Sequence, residues 1–240
     1  MQNKFTFGII GAMECEVNSL KSKLQNLEKL VVGKRIFYVG ELNSHKIILV
    51  QSGVGKVNSA ICVQYIIDKF NPDFIINTGI AGGLGENMQV GDIVIGTEFV
   101  QYDFDVTAIG YALGYMCTGI DKDKPTKFYS DTKLIKEFEK ALKHTAPNIR
   151  YHKGVIASGD CFVSSLDKKL QIKNMFNALA VEMEGAAIAQ TANLNNVPCV
   201  IVRAVSDLAD DNAAKDHEFV EEDMAEHCSS TIENLLKHIS

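Results

Sequence analysis

Short apolar runs rich in β-branched residues alternate along this chain with segments whose apolar positions recur at helical spacing. Residues 5–10, 36–39, 46–50, 74–77, 92–95, 154–158, 180–181 and 199–202 predict strands. Residues 14–24, a segment opening in SGVGKVNSA (52–60) and running to about 70, residues 134–143, a stretch beginning after Gly185, and residues 218–238 predict helices. The polar turn Asn43-Ser44-His45 joins the strand pair 36–39 and 46–50, whereas 101–117 is aromatic-rich and irregular and DKDKPTK (121–127) reads as a solvated loop. With no internal repeat, low-complexity stretch or linker, the alternation predicts one α/β domain over residues 1–240.

The run Cys199-Val200-Ile201-Val202 is apolar throughout, as expected of a strand buried on both faces, and it stops at Arg203 with Ser206 and Asp207 just beyond. Other strands end in the same manner, in small residues with one or two polar groups: GAMECE (11–16), NTGIAGG (77–83), SGDCF (158–162) and VEMEG (181–185). Ligand sites in open α/β sheets lie outside the carboxyl ends of the strands, so these loops predict a shared site. It would hold Glu16, Glu182, Glu184, Arg203 and Asp207 between Met13, Phe162 and Met183, a lining suited to a small polar molecule with a flat apolar part. Each group also has a plainer reading. Glu14 and Glu16 in a first helical turn complement the macrodipole by ~0.3–1 kcal/mol, and an arginine beside a carboxylate can be a purely structural ion pair. Glu182 and Glu184, two apart, share a face in extended chain, so one can meet sugar hydroxyls while the other is structural.

Composition narrows the chemistry. A net charge of -6 excludes a general nucleic-acid binder, and no apolar run approaches the ~20 residues that span a bilayer. The apolar run at 5–12 is short, broken by glycine and followed by acids, which makes it a core strand and not a signal peptide. Six scattered cysteines without a CxxC pair read as reduced thiols of a cytoplasmic protein, and the absence of a His/Cys cluster predicts no metal and no other cofactor. The segment SGVGKVNSA lacks both P-loop spacing and the third glycine of a dinucleotide fingerprint.

The segments GIIGAMECEV, SGVGKVNSA, INTGIAGGL, ASGDCF, VEMEGAAIA and VRAVSD, in this order and spacing, strongly resemble the bacterial 5'-methylthioadenosine/S-adenosylhomocysteine nucleosidases of the purine/uridine phosphorylase superfamily. The resemblance covers nearly the whole chain and implies a three-layer α/β/α domain around a mixed, largely parallel twisted sheet. It implies that Asp207 protonates adenine N7 and that Glu16, with Arg203, positions and activates water. Glu184 and Met183 would hold the ribose hydroxyls with Met13 against the sugar, Phe162 would stack on adenine, and the Val163 main chain would bond the base edge. Gly82 falls in the substrate loop, Ser206 would orient Asp207, and Val106 and Ile109 match residues that close the alkylthio end of a neighbouring subunit's pocket in a homodimer. An aspartic acid half-protonated at neutral pH needs its reference pKa of ~3.9 raised by about three, or ~4 kcal/mol, part of which an apolar strand end supplies by desolvation.

The chain also departs from that pattern. Ile80 stands where many relatives carry serine, the run Asp216-His217-Glu218-Phe219 matches the family's aromatic lid segment with His217 and Phe219 as alternatives to cover the base, and a proline common near the alkylthio pocket is replaced around Cys117. Two other functions compete. A nucleoside phosphorylase needs cationic groups around phosphate, and Arg203 is the only arginine beside the site, Arg35 and Arg150 being the others in the chain. A nucleoside-binding protein without catalysis has no need of both Glu16 and Asp207.

Overall fold

The computed structural model describes residues 4–117 and 121–239, except for the side chains of 215–225 and 227. His217 and Phe219, the two alternatives for a lid over the base, therefore lie outside the described side chains. In chain order the strands are β1 (Thr6–Gly11), β2 (Gln25–Val32), β3 (Arg35–Leu42), β4 (His45–Gln51), β5 (Phe74–Gly83), β6 (Ile93–Gln101), β7 (Phe128–Tyr129), β8 (Tyr151–Ser158), β9 (Ala178–Glu182) and β10 (Cys199–Asp207). The helices are α1 (Glu14–Lys23), α2 (Lys56–Phe70), α3 (Thr132–Thr145), α4 (Leu166–Phe176), α5 (Gly185–Leu194) and α6 (Ala213–His238).

All ten strands join one mixed sheet. β1 lies parallel between β4 and β5, while β2, β3 and β4 form an antiparallel meander on one side. On the other side β5 pairs with β10, β10 with β6, β6 with β8, β8 with β9, and β9 returns to β5 through Gly82 and Gly83. That half of the sheet thus closes on itself, and its strand ends are forced together. Helices α1, α3 and α6 pack on one face, and α2 and α5 pack together on the other. Strand alternation serves both layers. Phe7, Ile9, Ile47 and Leu49 point into the first core, and Ile10, Ile48, Val50 and Ile75 into the second. Such two-sided burial is why these strands read as continuous apolar runs.

The expected α/β class and the mixed sheet between helix layers are present. Several boundaries differ. β10 does not stop at Arg203 but continues to Asp207, with all nine residues buried. Its polar end is held as strand by pairing with the glycine-rich half of β5, which also runs to Gly83 and does not end at Asn77. β6 extends to Gln101, into the segment expected to be irregular. Neither β2 nor α4 is foreshadowed by periodicity. β2 is a largely exposed edge strand, and α4 buries only Ile172 and Phe176. All six cysteines carry free thiols. No helix among the described residues is long and apolar enough to cross a membrane.

His45, at the start of β4, is fully enclosed, its ring 5.7 Å from that of Phe5 and 5.3 Å from that of Phe7. Its Nδ1 accepts the Phe5 N–H at 3.1 Å, which requires an unprotonated nitrogen, and burial pushes its pKa below the ordinary value. The unfolded chain then binds the proton more readily. Stability from this site is present above pH ~6.5 and is lost as pH falls through that value. We expect the melting temperature to fall more between pH 7.5 and 5.5 in the native protein than in His45→Phe, as read by calorimetry; equal slopes would remove His45 from the account.

Candidate active site

A cleft of roughly 720 Å3, part of it open to solvent, lies where the carboxyl ends of β1, β5, β9 and β10 meet the loop after β8. Glu16 sits at its inner end. It occupies the first turn of α1, and its carboxylate folds back over the start of its own helix. Oε2 accepts the N–H groups of Ala12 at 2.5 Å and Met13 at 3.0 Å, and Oε1 accepts that of Ile80 at 3.2 Å. Glu14, by contrast, is exposed, so the two acids of this turn have separate lives. Glu16 is 3% exposed, and burial raises its pKa against the opposing pull of Arg203 and the three amides.

Arg203 lies directly across from Gly79 in the β10–β5 register. It is buried among carboxylates. Nε donates to Glu182 Oε2 at 3.2 Å, Nη2 makes a closer bond to the same oxygen, and Glu184 Oε2 lies 3.6 Å from Nη2. A Cβ at Gly79 would overlap Glu16 Oε1 and stand 2.7 Å from Arg203 Nη1. The glycine is what lets both side chains cross the strand there.

Glu182 ends β9 with its carboxylate turned inward. Oε2 also accepts the N–H groups of Glu184 at 3.0 Å and Gly185 at 2.7 Å, and Oε1 accepts the buried Ser158 hydroxyl. Ser158 Oγ in turn accepts the Ala186 N–H at 2.7 Å. Glu184, immediately before α5, accepts the Gly55 N–H at 2.8 Å through Oε1. Burial first, and then the charge of Glu182, push its pKa up to about 7, with Arg203 opposing.

Asp207 closes β10 beyond a register shift between Val205 and Asp207, a bulge that re-aims the strand end. Oδ2 accepts the Ser206 hydroxyl at 2.9 Å and Oδ1 the Ala209 N–H at 2.8 Å, and the residue is 2% exposed. At Gly82 a Cβ would lie 3.0 Å from Asp207 Oδ1 and 2.9 Å from Ala209 Cβ, so this position too needs glycine for close approach. Met13, Met183, Val163 and the 44%-exposed Phe162 supply the apolar walls.

The structure therefore brings Met13, Glu16, Gly82, Phe162, Val163, Glu182, Met183, Glu184, Ser206 and Asp207 to one cleft, with Arg203 behind it. Val106 and Ile109 do not line it within this chain, and Ile109 is 70% exposed on the surface. Ile80 contributes its main-chain N–H to Glu16 while its side chain packs in the core. Sequence reasoning did not single out Gly55, Ser158 or Gly79, nor the cleft-lining Cys161. All four stand inside loops it had marked, but their tasks depend on neighbours across the sheet.

Buried carboxylates at converging strand ends, walled by methionine and phenylalanine, define an α/β site for a small molecule that is part polar and part apolar. The phosphorylase superfamily model matches residues 6–239. A 5'-methylthioadenosine/S-adenosylhomocysteine nucleosidase of Staphylococcus haemolyticus is 46% identical over 231 residues, covering 96% of this chain and 98% of that protein. Two solved structures are similar throughout. The Neisseria meningitidis nucleosidase of the same name, in complex with methylthio-immucillin-A, aligns with a TM-score of 0.89 at 40% identity over 97% of this chain and 98% of the other. The S-adenosylhomocysteine nucleosidase of Streptococcus pyogenes, in complex with 5-methylthiotubericidin, aligns at 0.91 and 37% identity over 100% and 99%. On these matches the chain belongs to the 5'-methylthioadenosine/S-adenosylhomocysteine nucleosidase family of the phosphorylase superfamily.

Gly79→Ala tests the crossing of Glu16 and Arg203. The added methyl has no room, so we expect a loss of about 1–3 kcal/mol in urea unfolding. An unchanged unfolding midpoint would mean that the two side chains do not meet over that strand.

Proposed function

We propose that this protein hydrolyses the N-glycosidic bond of 5'-methylthioadenosine and S-adenosylhomocysteine, and of 5'-deoxyadenosine, releasing adenine and the thioribose or deoxyribose. The observation that carries this reading is the pair of buried carboxylates, Glu16 and Asp207, in one cleft with different surroundings. Asp207 is the general acid. A proton delivered to adenine N7 makes the base a better leaving group, and Ser206 and the Ala209 N–H hold the carboxyl in place. As the bond stretches, the ribose gains oxocarbenium character, which Glu16 and Glu184 stabilise. Glu16, its pKa raised by burial, takes a proton from the attacking water beside Arg203. Phe162 stacks on the base, the Val163 main chain bonds the base edge, and Met13 and Met183 pack against the sugar, whose hydroxyls Glu184 accepts. Glu182, its acceptors taken by Ser158, Arg203 and two amides, orients this set.

Phosphorolysis is disfavoured by the same geometry. The Ala12, Met13 and Ile80 amides beside Arg203 form the donor set an anion would seek, and the protein's own Glu16 carboxylate fills it. The rest of the reading is a single domain over residues 1–240 that works as a cytoplasmic homodimer in methionine salvage. In that dimer the segment of half-buried Val106 and exposed Ile109 closes the alkylthio end of the partner's cleft. No cofactor or metal takes part.

Asp207→Asn keeps the size of the side chain and removes the acid. We expect turnover of methylthioadenosine to fall by about 10²–10⁴-fold, while the nucleoside still raises the melting temperature of the variant. Near-normal turnover would remove Asp207 from the general-acid role.

A further inference from the structure

The rim of the cleft holds a closed ring of charged contacts that the chemistry above does not use. Lys56, the first residue of α2, donates from Nζ to Asp103 Oδ1 at 2.5 Å and from its main chain to Asp160 Oδ1 at 2.9 Å. The Asp160 N–H completes the ring by donating to Asp103 Oδ2 at 2.9 Å. A lysine in the first turn of a helix opposes the macrodipole, and α2 has no acid of its own there. The two aspartates, brought from separate loops, supply the missing negative charge. The side chain of the lysine is 16% exposed and that of Asp103 28%, whereas Asp160 stands further out at 51%.

Each member stands next to a residue the site needs. Gly55, one residue before Lys56, gives its N–H to Glu184, and a Cβ there would lie 3.2 Å from Asp160 Oδ1. Asp160 is two residues before Phe162, in a loop also held by the Tyr102 hydroxyl donating to the Cys161 carbonyl at 3.2 Å. Asp103 opens the segment that carries Val106 and Ile109. We propose that Lys56, Asp103 and Asp160 are positioning residues, a latch that holds the Phe162 loop and the Gly55 amide in register so that the base and the Glu184 end of the cleft are set together. This rests on the reading of Phe162 and Glu184 as substrate contacts.

The test compares the native protein with Asp103→Asn, Lys56→Met and Lys56→Arg. Two readouts are used: steady-state cleavage of methylthioadenosine, and hydrogen exchange of residues 54–58 and 159–163 without ligand. A latch predicts faster exchange of both segments in Asp103→Asn and Lys56→Met. It also predicts a KM raised about tenfold with kcat within about threefold, the pattern of binding lost equally from ground and transition states. Lys56→Arg, which keeps the charge, restores most of the native KM. Unchanged exchange, or faster exchange with an unchanged KM, overturns the proposal. If the native protein cleaves no nucleoside, the functional reading fails first, and exchange alone decides whether the latch exists. Asp103→Asn retains size and decides the matter if Lys56→Met does not fold.

Discussion

The arginine in the middle of β10 is the constraint on which the site depends. Arg203 is almost fully buried, and its charge is matched by Glu182 at hydrogen-bonding distance, with Glu184 and Glu16 close by. Desolvating such a group is costly, and removing one partner from a buried pair typically destabilises by ~3–5 kcal/mol. The fold accommodates it by giving Glu182 a complete set of donors: the guanidinium, the Ser158 hydroxyl and the first amides of α5. With Glu182 held by these donors, Arg203 has a fixed orientation. The remaining carboxylates then acquire distinct characters. Glu184 is pushed up by burial and then by the charge of Glu182, while Glu16 is buried in a nest of amides.

Topology makes that arrangement possible. Had β5, β10, β6, β8 and β9 formed an open sheet, Glu182 on β9 and Arg203 on β10 would stand several strands apart. Closure brings β9 back to β5 at Gly82–Val181, beside the end of β10. Two of the three glycines of β5 then have separate tasks on one strand: Gly79 clears space for Glu16 and Arg203, and Gly82 clears space for Asp207.

Much of this was legible in the chain because strands buried on both faces are short, continuous apolar runs, and each run that mattered ended in a loop of small and polar residues. The convergence of Glu16, Glu184 and Asp207 followed from that pattern together with the sheet-edge rule, and the family resemblance supplied roles that spacing alone does not. The ends of β5 and β10 were hidden because Gly79, Gly82 and Ser206 look like loop residues, whereas cross-strand pairing keeps them extended. β2 escaped notice as an exposed edge with little apolar alternation. Ser158 and Gly55 were invisible as functional residues since their value lies in one hydrogen bond each to a distant glutamate. The Val106–Ile109 segment lies away from the cleft of its own chain, so its task, on this reading, belongs to the assembled pair.

On this reading water, not phosphate, attacks the sugar in a site whose anion-binding amides are already held by Glu16. Product analysis after incubation with methylthioadenosine, with and without inorganic phosphate, tests it most directly. We expect free adenine and methylthioribose at a rate that phosphate does not alter. Adenine release that requires phosphate and yields methylthioribose 1-phosphate would contradict it.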